Sequence, residues 1–90
     1  MTLRDLDRGA RAIITRLDVD DPRLRDKLHA RGLLPGTEVR VLQPGDPLVV
    51  GVDHSRWALN GRDAARIHVD PVVHRRRPGL LARLLRREAA

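Results

Sequence analysis

The chain has 90 residues, no Cys, and 41% hydrophobic against 33% charged side chains. That is one domain's worth of sequence, too short for two independent cores, and the missing thiols exclude disulfide staples, thiolate nucleophiles and thiolate metal sites. The net charge of +6 is unevenly spread, because residues 1–70 carry twelve basic and eleven acidic side chains whereas residues 71–90 carry six Arg and one Glu. A compositional boundary at Asp70-Pro71 therefore separates a nearly neutral domain, 1–70, from a basic Arg/Leu-rich extension, 71–90.

Trp57 is the single aromatic, so the core must be aliphatic and a recognition surface of stacked rings is excluded. Met1 to Asp5 has no apolar run behind its charges. The expectation is a cytoplasmic chain without a signal peptide or membrane span.

The run Ala12-Ile13-Ile14-Thr15-Arg16-Leu17 is apolar and β-branched, and predicts a mostly buried first strand after Gly9. Asp21 then supplies a helix cap and Pro22 a first helical turn. Leu24 and Leu28, four apart, form one apolar stripe among charged neighbours, and Gly32 stops the helix. Pro35-Gly36 is the central pair of a type II turn. Val39 and Val41 alternate with Glu38 and Arg40, and Leu48, Val50 and Val52 repeat that period of two. Trp57 and Leu59 point one way while Arg56 and Ala58 point the other. Asn60 caps a single helical turn, and Ile67 and Val69 complete a fifth strand. Five short strands in so few residues leave exposed edges and a bare apolar face unless the sheet curls into a small barrel. The helix, inserted after the first strand, would plug one end with Leu24, Leu28 and Leu33.

Leu3, Leu6, Gly9, Ala12 and Ile14, the stretch Arg25 to Thr37 with Leu28, Gly32-Leu33 and Pro35-Gly36, and Gly45-Asp46-Pro47-Leu48 resemble the FeoA family. The aliphatic alternation through Val39, Val41, Val50, Val52, Leu59, Ala65, Ile67 and Val69 extends the resemblance over residues 3–70. It implies an SH3-like barrel that accompanies FeoB, a membrane ferrous-iron transporter with a cytosolic GTP-binding domain. The chain departs from the family pattern in a short connection between its second and third strands and in Asn60, where a basic residue is common.

The glycines and Pro35 are accounted for by backbone geometry. Leu33 and Leu34 are not, since a turn carrying two adjacent leucines buries one and presents the other. With Arg25 and Arg31 they form the expected partner-binding region. His29, His54, His68 and His74 invite a metal, but no pair has ligand spacing and each offers at most two donors with its neighbouring Asp, so no metal site and no cofactor are expected. Thr2, Thr15, Thr37 and Ser55 lack a recognisable base, and no glycine loop precedes a lysine, so no catalysis is expected. One Trp cannot line a polyproline groove.

The rival element is the extension. Arg75, Arg76 and Arg77, then Leu80, Leu81, Leu84 and Leu85 with Arg83, Arg86 and Arg87, have the period of a basic amphipathic helix. That pattern suits anionic lipid at the inner face of the membrane, or nucleic acid, and makes a polyanion adaptor the alternative function.

Overall fold

A computed structural model describes residues 1–72. The order of elements is a 3-10 turn η1 (Leu3–Asp5), β1 (Arg11–Leu17), α1 (Pro22–Ala30), β2 (Glu38–Gln43), β3 (Leu48–Val52), β4 (Ser55–Leu59), a one-turn helix α2 (Gly61–Ala64) and β5 (Ile67–Pro71). The strands make one antiparallel sheet in the order β4-β3-β2-β1-β5. Ala12 and Ile14, Val39 and Val41, Leu48, Val50 and Val52, Leu59, and Ile67 and Val69 are all buried in a single cluster. One face of one sheet can bury itself in this way only by curling around it, and two irregularities supply curvature. The register slips once between Ile14 and Arg16 against β5 and once between Val41 and Gln43 against β3.

Each strand and helix predicted within residues 1–70 is present. β5 runs one residue past the expected boundary, to Pro71, and Val72 N–H still donates to the Arg11 carbonyl at 2.9 Å, so the ladder to β1 carries the folded unit to residue 72. The basic extension, with Arg75, Arg76, Arg77, Arg83, Arg86, Arg87 and His74, lies outside the described residues.

Helix α1 begins as its composition dictates. The Asp21 carboxylate accepts from Arg23 N–H at 2.9 Å and Pro22 takes the first helical position, where a missing N–H costs nothing. It ends in a Schellman motif: Gly32 (φ +82°) donates to the His29 carbonyl at 2.9 Å and Leu33 N–H reaches back to the Leu28 carbonyl at 2.9 Å. The same geometry turns Leu28 and Leu33 inward together. Both are buried, with Leu24 half-buried against the cluster, which closes one end of the barrel as expected.

The following turn runs Leu34 to Thr37, closed by Thr37 N–H on the Leu34 carbonyl at 3.0 Å with Gly36 at φ +94°. At the far end, Asn60 caps α2 by accepting from Asp63 N–H at 2.7 Å, and the Asp46 carboxylate accepts from Gly61 N–H at 2.9 Å.

Candidate functional site

The four residues expected to meet a partner occupy α1 and the turn after it, but the fold distributes them differently from the sequence pattern. Leu33 is fully buried, so it is a core residue and offers no surface; the Schellman geometry points it inward beside Leu28. Leu34 is the leucine that solvent sees, at 37% exposure. An Asp at position 33 would therefore break the core rather than probe a surface.

Arg25 is also committed locally. Its guanidinium donates to the Val19 carbonyl and ties the β1–α1 connection to the helix, while Val19 itself is buried. Six residues separate Arg25 from Arg31, about 1.7 helical turns, which sets the two on different faces. Arg31, at the C-cap, is half-buried, and its guanidinium carbon stands 4.9 Å from the centre of the Trp57 ring. This is cation–π geometry, and it leaves the positive charge at the surface above an apolar base.

Trp57 is half-buried against the core, as its alternation with Leu59 predicts. Its indole N–H is buried without an acceptor among the described residues, so the ring works as an apolar and π surface. The Arg31–Trp57 meeting escaped sequence reasoning because the two residues lie in different elements; the one signal was a lone Trp on an otherwise aliphatic strand. Arg31 and Trp57 thus join the end of α1 to β4 at the surface, and the exposed Leu34 follows three residues after Arg31.

The outer face of β2, β3 and β4 holds a shallow cleft of about 450 Å³. Its row of cross-strand neighbours is Arg40, Gly51 and Arg56. Glu38, Asp53 and His54 line it as well, with Asp53 and His54 in the β3–β4 turn. Among the described residues no carboxylate comes within ion-pair distance of Arg40 or Arg56.

The histidines stay apart. His29 and His54 are exposed, and no group of three His, Cys, Asp or Glu side chains able to hold a metal ion occurs among the described residues. His68 Nε2 lies 3.2 Å from an Arg16 guanidinium nitrogen and 3.9 Å from an Asp18 carboxylate oxygen. Since Arg can only donate, Nε2 is the acceptor in that contact. No helix among the described residues is long and apolar enough to cross a membrane.

Residues 1–71 match the model of the FeoA domain, the whole span of the sheet. The chain belongs to the FeoA family. Solved structures agree. An iron uptake regulatory protein (FeoA) is 26% identical with a TM-score of 0.74, covering 80% of this chain and 97% of its own. The FeoA protein from Chlorobium tepidum is 30% identical with a TM-score of 0.75 over 81% of this chain and 71% of its own. Stenotrophomonas maltophilia FeoA, solved in complex with zinc, is 30% identical with a TM-score of 0.69 over 78% of this chain and 89% of its own. It is described as a procaryotic SH3 domain protein and put forward as a ferrous iron transport activating factor. A comparison with curated proteins found no match. The FeoA domain described here accordingly has the SH3-like fold of its relatives.

Proposed function

We propose that this FeoA-family protein is a non-catalytic accessory of ferrous iron uptake that binds the cytosolic part of a FeoB-type transporter. The observation that carries the reading is that the FeoA match covers the entire described fold, residues 1–71, leaving no second domain there to supply chemistry. Iron is the cargo of the partner. The contact region runs along Leu34, Arg31 and Trp57, which joins an exposed aliphatic side chain, a surface cation and a half-buried ring. Such a mixture of apolar base and positive rim suits protein recognition.

The test is titration of the purified cytosolic region of a FeoB-type transporter with the full-length protein at low and moderate salt. Binding through the barrel surface persists as salt rises, because burial of apolar groups is not screened. Affinity that collapses with salt and is unchanged in the Arg31→Glu and Arg56→Glu variants would transfer the function to the arginine-rich extension and to polyanion binding.

A further inference from the structure

The two edges of the sheet are finished differently. Beside β5 the N-terminal segment takes up edge positions: Val69 N–H donates to the Met1 carbonyl at 2.9 Å and Thr2 bridges to His68. Strand β4, the opposite edge, has no such cover among the described residues, since none of its backbone groups bonds to backbone outside its own sheet ladder. Apart from its shortness and the single charge of Arg56, it lacks the devices that blunt an edge. It contains neither Pro nor Lys, and its register with β3 is uninterrupted from Leu48↔Leu59 to Val52↔Ser55.

The polarity of that edge follows from the register. A two-residue turn, Asp53-His54, makes Val52 and Ser55 a hydrogen-bonded pair, and alternation makes Val50↔Trp57 and Leu48↔Leu59 the next ones. The N–H and C=O groups of Arg56 and Ala58 therefore face outward. On one side of the edge stands the Trp57 ring with Arg31 over it, continuous with the core. On the other stands Arg56, with Arg40 two strands in and Gly51 between them.

We propose that the free edge of β4 accepts an extended acidic segment of the partner by β-strand addition, with its apolar residues against Trp57 and its alternate carboxylates toward Arg56. The proposal deepens the partner-binding reading and rests on it. Charge complementarity selects the occupant, because Arg31 flanks the edge on one side and Arg56 on the other, neither within ion-pair distance of a carboxylate among the described residues. Strand addition supplies affinity through backbone hydrogen bonds and specificity through alternate side chains. A second copy of this chain would bring the same arginines to the same edge and is disfavoured for that reason.

The test is fluorescence anisotropy of the full-length protein with a fluorescein-labelled peptide alternating Glu and Val. Saturable binding is expected, weakened about tenfold when alternate peptide amides are N-methylated and likewise when Lys replaces Glu. Ala58→Pro removes an outward N–H without touching the β3 ladder, and exposed Arg56→Glu reverses the charge; each should weaken binding by about tenfold. If Ala58→Pro does not fold, Arg56→Glu and the N-methylated peptide decide. No binding, equal binding of the N-methylated peptide, or a dimer that forms through this edge overturns the proposal. Transporter capture retained without any binding of the Glu/Val peptide removes the edge and keeps the partner. Peptide binding without transporter capture removes the transporter and keeps the edge.

Discussion

Arg31 and Trp57 meet with the guanidinium 4.9 Å from the ring centre, so the C-cap of α1 is fastened to the edge strand β4. The pair joins the helix that plugs the barrel to the strand farthest from β1 in the sheet order β4-β3-β2-β1-β5. A double-mutant cycle with Arg31→Ala and Trp57→Leu should give a coupling of about 0.5–1 kcal/mol in urea denaturation, the range for a partly exposed cation–π contact. Additive losses would show that the two residues merely neighbour one another.

The adjacent leucines should behave as opposites. Leu33 is fully buried and Leu34 is exposed, so Leu33→Ala should cost about 2–5 kcal/mol and Leu34→Ala no more than about 0.5 kcal/mol. Equal losses in chemical denaturation would refute the Schellman geometry that separates them.

Asp46 and Gly61 should be non-additive. A Cβ at position 61 would sit 2.9 Å from Asp46 Oδ2, too close for the carboxylate that now accepts the Gly61 N–H at 2.9 Å. Gly61→Ala should therefore destabilise the native protein by about 1–3 kcal/mol, and distinctly less when Asp46→Ala has already removed the obstacle. Identical costs in the two backgrounds would mean the carboxylate does not hold that position.

Gly36 tests the turn alone. Its φ of +94° suits glycine, and no atom lies within 4 Å of where a Cβ would stand. Gly36→Ala should lose about 1–2 kcal/mol through backbone strain, measured by thermal or urea melting, with the fold unchanged by circular dichroism.

Much of the barrel was legible because its strands alternate cleanly and its breaks are chemical. Asp21-Pro22, Pro35-Gly36 and Asn60 each act within a few residues of themselves, and sequence proximity is enough to read them. Four things were not. The turn η1 is only three residues long, and it is held by the Thr2 N–H on Asp5 at 2.8 Å, a contact that no periodicity announces. The choice between Leu33 and Leu34 depends on the left-handed Gly32 and the carbonyls it leaves open, which is a matter of geometry rather than composition. The Arg31–Trp57 contact and the bare edge of β4 depend on strand order, which pairs distant segments and becomes visible only when the sheet is assembled.

Among all these, the claim that the α1–β4 surface binds the transporter is tested most directly by one comparison. The affinity of a purified FeoB-type cytosolic region should be measured for the full-length protein and for its Leu34→Asp and Arg31→Glu variants, each first shown to be folded. The account predicts that both substitutions weaken binding by about tenfold or more at moderate salt. Affinity equal to that of the unaltered protein in both variants would contradict it.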